Sequence, residues 1–292
     1  MIFAKALNAQ TNFWNSSDAY LGQIPPKDAP KVFAQDLLAD SGIVLGRVGF
    51  SKDGKEFYYG YAQHWFDSKG SGVKQLAYDG TKWGKPKIIV ENFAIPTLSI
   101  DEKKLFFNDN NSRIWQSERV DNAWTPPVIM LDKKYGLYNF QPTNSGTCYV
   151  GSNANQGDKN DYTSYDFCTL TMSGNDTVIT SLGKPLNTPG FEGDFFVAPD
   201  ESYMIISTKE TKDYDCELWI SFRKMNKSWT NPKSLGPLVN DGVAHRFGQY
   251  VSPDGKYLFY TKGTSEKDTH IYWMRFDNLL QKLKAGTQQP HL

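Results

Sequence analysis

The chain has 292 residues, of which 39% are hydrophobic and 14% are aromatic, and its 32 basic residues balance its 32 acidic residues. A formal net charge of zero without a basic cluster argues against nucleic-acid binding through phosphate neutralisation. No apolar run approaches the roughly 20 residues that a membrane-spanning helix needs, so the sequence predicts no membrane span.

In chain order, residues 1–29 contain many turn-forming residues and little periodicity, which predicts an irregular N-terminal arm. Residues Pro30 to Ala34 then form a short apolar strand that matches Pro86 to Ile89 further along the chain. The first of these two strands has no partner near it in the sequence. It therefore predicts an outer strand that pairs with a distant part of the chain.

A short turn flanked by hydrophobic strands recurs five times after this strand, and its third residue is Asp53, Asp101, Ser145, Asp200 or Asp254. Asp at this place, with Gly or Pro beside it, favours a tight hairpin turn. The copies lie 48, 44, 55 and 54 residues apart. Such intervals fit a blade of four short strands, which takes about 40–50 residues plus longer loops.

Each turn is followed by an aromatic-rich second strand and then by a third strand. A Trp three residues ahead of a Pro marks the start of the fourth strand in three copies, at Trp83, Trp124 and Trp229. The fifth copy lacks a fourth strand, and the unpaired strand at residues 30–34 can supply it. The sequence therefore predicts an all-β, five-bladed β-propeller of four-stranded antiparallel blades, closed by this N-terminal strand. A six-bladed ring is the alternative. The propeller domain is predicted at residues 30–276 and a short C-terminal helix and tail at residues 277–292.

The chain resembles the TolB-like, WD40-like propeller repeat family, also called PD40. The resemblance is carried by its Pro-Asp and Asp-Gly turns, above all Phe196 to Asp200 and Val251 to Tyr260, with Leu218 to Arg223 between them. It covers nearly the whole chain and implies the propeller fold. It also implies a bacterial protein in the periplasm or outside the cell, although Met1 to Lys5 lack the apolar core of a signal peptide. Relatives include binding scaffolds, peptidase-associated propellers and oligogalacturonate-lyase-like enzymes, so the compartment and the function stay open.

Propellers bind ligands at the mouth of the central channel, so the inner strands and the loops at that face hold the candidate site. In each blade, one residue of the first strand is expected near the channel, at the same distance ahead of the repeated turn. These residues are Arg47, Ile95, Asn139, Asp194 and Gly248. Loops after the second strands add His64 and Lys209. We expect Arg47, His64, Asn139 and Lys209 to contact a ligand.

Four residues are candidates for catalysis at the same face. Glu192 and Asp194 are one residue apart, so on an extended strand they would point the same way and could act as acid and base on a glycosidic bond. Arg246 could form a bidentate pair with a substrate carboxylate while His245 transfers a proton. The structural alternatives are that Asp194 accepts channel hydrogen bonds or pairs with an arginine, and that His245 and Arg246 belong to a surface loop.

The sequence predicts no cofactor and no metal site, because its four histidines have no metal-ligand spacing. A transition metal held by His64, His245 and a carboxylate, or Ca²⁺ in the Asp- and Asn-rich loop from Asn153 to Asp166, is the alternative. Cys148 and Cys168 are expected on neighbouring strands, either as a disulfide or as two buried thiols.

The sequence favours a non-catalytic, monomeric module that binds a small molecule, a saccharide or a protein partner at the channel mouth. This hypothesis rests on two observations: the repeat runs through nearly the whole chain, and the sequence contains no nucleophile, phosphate-loop or dinucleotide-binding motif. The alternative is a lyase or hydrolase acting on an acidic saccharide through His245, Arg246, Glu192 and Asp194. An interaction domain with an exposed apolar patch at one rim is a third reading.

Overall fold

The computed structural model describes residues 12–38, 43–65, 70–155, 159, 161, 164–173, 176–189, 192–208, 211 and 213–286. These residues form five antiparallel sheets, each one blade of a propeller. Blade 1 contains β2 (Ile43–Phe50), β3 (Glu56–Ala62), β4 (Gly72–Ala77) and β5 (Lys87–Glu91). Blade 2 contains β6 (Ala94–Leu98), β7 (Lys104–Asn108), β8 (Ile114–Val120), β9 (Ala123–Trp124) and β10 (Val128–Leu131).

Blade 3 contains β11 (Leu137–Pro142), β12 (Cys148–Ser152), β13 (Asp166–Ser173) and β14 (Asp176–Ser181). Blade 4 contains β15 (Phe195–Val197), β16 (Tyr203–Thr208), β17 (Glu217–Phe222) and β18 (Lys233–Ser234). Blade 5 contains β19 (His245–Val251), β20 (Tyr257–Ser265), β21 (Asp268–Arg275) and β1 (Lys31–Val32). The prediction of a five-bladed propeller is confirmed, and the described residues form five blades rather than six.

The repeated turn forms the same small hydrogen-bond network in successive blades. In blade 1 the Asp53 carboxylate accepts bonds from Ser51 Oγ at 2.7 Å and from the Lys55 amide at 3.0 Å. The next position has positive φ in every blade, whether it is Gly, as in Gly54 (78°) and Gly255 (74°), or Glu, as in Glu102 (59°). Where this position is Glu, the hairpin still forms, because the side chain of the preceding Asp still accepts the hydrogen bonds of the turn.

The N-terminal strand closes the ring as predicted. Lys31 pairs with Trp273 and Val32 pairs with Tyr272, and the Phe33 amide donates to the Ile271 carbonyl at 2.8 Å. The Phe33 ring then packs edge-on against four rings of blades 1 and 5: Phe50, Phe57, Phe259 and Trp273. These contacts give the seam between the last and the first blade a hydrophobic core of its own.

The described part of the N-terminal arm is more ordered than its composition predicts. It contains two 3-10 turns, Phe13–Asn15 and Tyr20–Gly22, and it buries Trp14 and Tyr20 in the core at the seam. Trp14 Nε1 donates to the Lys52 carbonyl of blade 1 at 2.9 Å, and Tyr20 Oη donates to Asp254 of blade 5 at 2.6 Å. The arm therefore bridges the turns of the two blades at the seam. The domain limits at residues 29 and 276 stay a prediction.

Two short helices complete the described chain: α1 (Gln35–Leu38) follows the closing strand, and α2 (Asp277–Ala285) follows blade 5. Among the described residues, no helix is long and apolar enough to cross a membrane. Cys148 and Cys168 are free thiols. Cys148 lies opposite Leu170 while Cys168 lies opposite Val150, so the two cysteines are offset by two residues and the disulfide alternative is not formed.

Candidate functional site

The innermost strands carry β-bulges where they line the channel. The register shifts in four of the five first strands, at Gly46, Ile95, Asn139 and Gly248, and each of these residues has positive φ. A bulge bends a strand and re-aims its side chains. The bulges therefore place the side chains beside them, such as Arg47 and Gln249, in the centre of the ring.

The channel is crossed by polar side chains. Arg47 of blade 1 is buried, and its Nη2 donates to the Phe195 carbonyl of blade 4, a blade that is not its neighbour in the ring. Asn139 and Gln141 of blade 3 donate to the same carbonyl at 3.0 and 2.9 Å. Because three side chains from two blades converge on one backbone oxygen, this level of the channel is filled by protein. A ligand on the axis would have to bind above it, at the mouth.

Asp194 lies beside this crossing. It accepts the Gly248 amide at 2.8 Å, and Asn139 Nδ2 is 3.5 Å from its other carboxylate oxygen. Burial raises the pKa of Asp194, opposed by the Arg47 charge and the Gly248 amide. Burial also lowers the pKa of Arg47 to about 10, opposed by Asp194. Arg47, Asn139 and Asp194 are thus brought together, and Asp194 has the channel hydrogen bond that its structural alternative predicts.

Glu192 is directed to a different partner. It is buried, and its carboxylate accepts the Thr188 amide from the preceding loop, while Asp194 bonds across to blade 5. Burial raises the pKa of Glu192, and the Thr188 hydrogen bond opposes the shift. β15 begins only at Phe195, so the extended strand that the acid–base hypothesis assumes starts after both residues. The two carboxylates therefore bond different partners, and their acid–base role stays a prediction.

Arg246 is 1% exposed and donates to backbone carbonyls of the surrounding loops. Its Nε bonds the Val239 carbonyl at 2.9 Å and its Nη1 bonds the Cys216 carbonyl at 2.9 Å. The remaining acceptors are the carbonyls of Ala244, Asp241 and Gly242, and the Asp241 carboxylate lies 3.5 Å from Nη2. A guanidinium whose donors are already occupied in this way is not positioned to bind a substrate carboxylate. Its catalytic assignment stays a prediction that the geometry does not support.

His245 lies in a cluster of aromatic rings at the start of β19. Its ring stacks on Phe247 with centroids 4.3 Å apart, and Trp65 and Tyr214 approach it at 5.6 and 5.8 Å. Burial lowers the pKa of His245 to about 4, so the imidazole is neutral near pH 7. Trp65 lies in the loop after β3 of blade 1, and Tyr214 lies in the loop after β16 of blade 4. Four rings from three blades therefore converge beside the channel.

The other expected ligand contacts lie elsewhere. His64 pairs with Glu266 of blade 5 at 3.1 Å, at the seam between blades 1 and 5. Lys209 lies outside the described residues. Across the part of the chain that the structure describes, no group of three His, Cys, Asp or Glu side chains could hold a metal ion. The proposed Ca²⁺ loop is described only in part.

Sequence reasoning missed Trp65, Tyr214, Phe247, Gln141 and Gln249. The two glutamines could have been found by examining the residues that follow the predicted channel position on the same strand. Gln141 lies two residues after Asn139, and Gln249 lies directly after Gly248. Trp65 and Tyr214 lie in loops of different length in each blade. No local pattern marks them as neighbours of His245.

Comparison with known proteins yields structures only: no family model and no curated protein matches the chain. A protein described as TolB from Agrobacterium tumefaciens is 13% identical over 81% of this chain and 78% of that chain, with a TM-score of 0.48. TolB from Acinetobacter baumannii is 11% identical over 80% of this chain, which spans 54% of that chain, with a TM-score of 0.48. An oligogalacturonate lyase from Vibrio parahaemolyticus is 11% identical over 87% and 71% of the two chains, with a TM-score of 0.42.

These similarities concern the fold and say nothing of a ligand or a reaction. The chain is a five-bladed β-propeller by its own sheet topology, and the solved structures to which it is similar include TolB propellers.

Proposed function

We propose that this propeller is a binding module that holds a small ligand at the channel mouth, on the face where loops lead into the first strands. The observation that supports it is the convergence of Trp65, Tyr214, His245 and Phe247, from three blades, beside the channel. We call these four residues the aromatic platform. Their rings offer flat apolar faces on which a ring or an apolar edge of a ligand can stack.

The aromatic platform is held in place by its surroundings. Trp65 Nε1 donates to Thr269 Oγ1 of blade 5 at 2.8 Å. The indole also lies over Gly263, where a Cβ would be 2.8 Å from the ring. Tyr214 is 43% exposed, so part of the platform faces solvent. A surface that is both pre-positioned and partly open loses little side-chain entropy when a ligand binds.

Polar groups next to the platform add selectivity. Phe247 precedes Gly248, whose amide bonds Asp194, and Arg47 lies against the same glycine. Arg47 and Asp194 carry opposite charges, so this floor is balanced and suits a polar ligand without a large net charge. Asn139, whose Nδ2 donates to the Phe195 carbonyl and lies 3.5 Å from Asp194, helps to fix this floor in place.

The alternative function, a lyase or hydrolase acting on an acidic saccharide, requires Arg246 to bind the substrate carboxylate and His245 or the Glu192–Asp194 pair to move protons. Arg246 is occupied by backbone carbonyls, and the two carboxylates bond different partners. No observation favours this alternative over binding alone. Turnover of trigalacturonate that is lost in Asp194→Ala, with folding intact, would support it.

Intrinsic tryptophan fluorescence tests the binding proposal with three probes: maltotriose, trigalacturonate and a proline-rich decapeptide. We expect at least one to bind, and Trp65→Ala to weaken its affinity by about tenfold or more, because a stacking face is lost. Trp124→Ala is the control, since Trp124 lies on β9 at the outside of blade 2. Failure of all three probes to bind, or equal affinity in both variants, would overturn the proposal.

A further inference from the structure

The outer edge of blade 3 differs from the outer edges of the other four blades. An outer strand pairs with its own blade on one side only, so its other side presents unpaired backbone N–H and C=O groups. In blade 3 the outer strand is β14, and β13 is the only described strand that pairs with it. Proteins commonly protect such an edge with proline, lysine, a bulge or a very short strand, because an open edge can pair with another chain.

The other four outer strands are protected in these ways. β1, β5, β10 and β18 each begin directly after a proline, and these prolines are Pro30, Pro86, Pro127 and Pro232. β1 and β18 contain two residues each. β5 and β10 are longer, but a register shift interrupts them at Ile89 and at Met130. Because a proline removes a backbone donor and a bulge bends the strand, none of these four edges offers a long, regular ladder.

β14 has none of these protections. Its sequence, Asp176–Ser181, contains no proline and no lysine, and its six residues all pair with β13 without a register shift. Its four central residues, Thr177 to Thr180, are β-branched and therefore favour the extended conformation. Its only charge is that of Asp176. This regular edge is suited to the addition of another strand.

The same strand is complementary to a second copy of itself. A twofold axis through Val178 pairs two copies of β14 antiparallel, with Val178 opposite its counterpart and Asp176 opposite Thr180 of the second copy. No like charges are opposed in this pairing, and opposed like charges would destabilise it. Val178 is 52% exposed, so the pairing would remove an apolar side chain of each copy from water.

Met172 extends the apolar surface on the other face of this edge. It lies on β13 opposite Thr177 and is 57% exposed. In the twofold pairing, Thr177 lies opposite Ile179 of the second copy, so Met172, Thr177 and that isoleucine form one cross-strand row. Side chains on both faces would therefore contribute to the pairing, in addition to the backbone hydrogen bonds.

We infer that β14 is a self-association edge, at which two copies of this chain join their third blades into one continuous antiparallel sheet. The assembly closes at two copies, because each copy offers the same edge to the other. One strand pair buries less than the roughly 1,600 Å² of a standard interface, so we expect a dimer that forms only at micromolar concentrations and a monomer below them. β14 is the outermost strand of its blade, so the dimer leaves the channel mouth free and does not depend on the proposed ligand site.

Sedimentation velocity of the full chain at about 1–500 μM tests this dimer. We expect the wild type to change from monomer to dimer as its concentration rises. Val178→Lys should weaken the association at least about fivefold, because two ammonium groups would face each other across the twofold axis. An equimolar mixture of Val178→Lys and Val178→Glu should associate at least about fivefold more tightly than either variant alone. Ile88→Lys is the matched control, since Ile88 is 53% exposed on the bulged outer strand of blade 1.

The contrary results are equally specific. A wild type that stays monomeric up to about 500 μM overturns the inference, even if it binds a labelled Thr-Val-Thr-Val-Thr-Val peptide, because the edge would then serve a foreign strand. Equal weakening by Val178→Lys and Ile88→Lys, or a mixture that associates no more tightly than its components, overturns the assignment to β14. Both positions are exposed, so both lysine variants should unfold at the wild-type temperature. If Val178→Lys unfolds earlier, the wild-type series and the Val178→Glu variant still decide.

Discussion

Gly248 of blade 5 packs against Gly46 of blade 1 so closely that a Cβ on Gly248 would lie 2.3 Å from the Gly46 carbonyl carbon. Both residues sit at bulges, with φ of 62° and 79°. The first and last blades therefore meet backbone to backbone at the channel. The same Gly248 donates its amide to Asp194, so this contact both closes the ring and shapes the floor of the candidate site.

Gly248→Ala should destabilise the protein by at least about 2 kcal/mol more than Gly255→Ala. Gly255 is the matched control, because its φ of 74° is similar but no atom lies within 4 Å of its Cβ position. The control carries only the cost of a left-handed alanine, about 1–2 kcal/mol. Urea unfolding of the two variants measures the difference, and equal midpoints would show that the seam yields to a methyl group.

The blade count could be read from the sequence because the turns that mark it are local. Asp53 and Asp254 accept hydrogen bonds from residues within their own turns. The turn motif, and therefore the spacing between its copies, does not depend on contacts with the rest of the blade. The closing strand was also predictable, since residues 30–34 had no other partner. The arm was not, because Trp14 and Tyr20 are ordered by contacts with turns that follow them by 38 and 234 residues.

The candidate site was predictable only in part. Arg47, Asn139 and Asp194 meet at the channel because an equivalent strand position points to the axis in every blade. His245 and Arg246 are adjacent in sequence, yet one joins an aromatic cluster and the other donates to buried carbonyls. Which way each turns depends on neighbouring loops, and the sequence of the dipeptide carries no signal for that.

Phe33→Ala tests whether the N-terminal strand holds the ring together. The Phe33 side chain is 1% exposed and contacts aromatic rings of both blades at the seam, so its removal leaves a cavity. We expect a loss of about 3–5 kcal/mol in the free energy of unfolding, measured by urea denaturation. Ile24→Ala, at a position 85% exposed, should change it by less than about 0.5 kcal/mol. A loss as small as the control's would mean that the Phe33 side chain does not stabilise the closed ring.

Arg246→Met should act on stability before it acts on any activity. The substitution leaves the buried carbonyls of Val239 and Cys216 without their donor, at an expected cost of about 3–5 kcal/mol. Arg275→Met is the control: its pair with Asp277 is partly exposed, so the change should cost less than about 1 kcal/mol. Thermal unfolding compares the two. Wild-type stability in Arg246→Met would contradict the structural role and return Arg246 to the candidates for ligand contact.

His245 should make the stability of the protein depend on pH in a defined direction. Burial lowers the pKa of His245 to about 4 from 6.5, so the native state holds the neutral ring while the unfolded chain takes up a proton below pH 6.5. Protons therefore favour the unfolded state between these values. The contribution of His245 is fully present above about pH 6.5 and is lost as the pH falls toward 4, by up to about 3 kcal/mol.

The variant His245→Phe isolates this effect, because phenylalanine keeps an aromatic ring at the position and cannot titrate. Glu192 and Asp194 have pKa values raised by burial and act in the opposite sense, since their contribution is lost as the pH rises, but they are common to both proteins. Urea unfolding from pH 7.5 to pH 4.5 should therefore show wild type losing stability relative to the variant as the pH falls. Parallel curves would mean that His245 has the same pKa in the folded and the unfolded chain, and the assignment of a neutral imidazole to the platform below pH 6.5 would have to be abandoned.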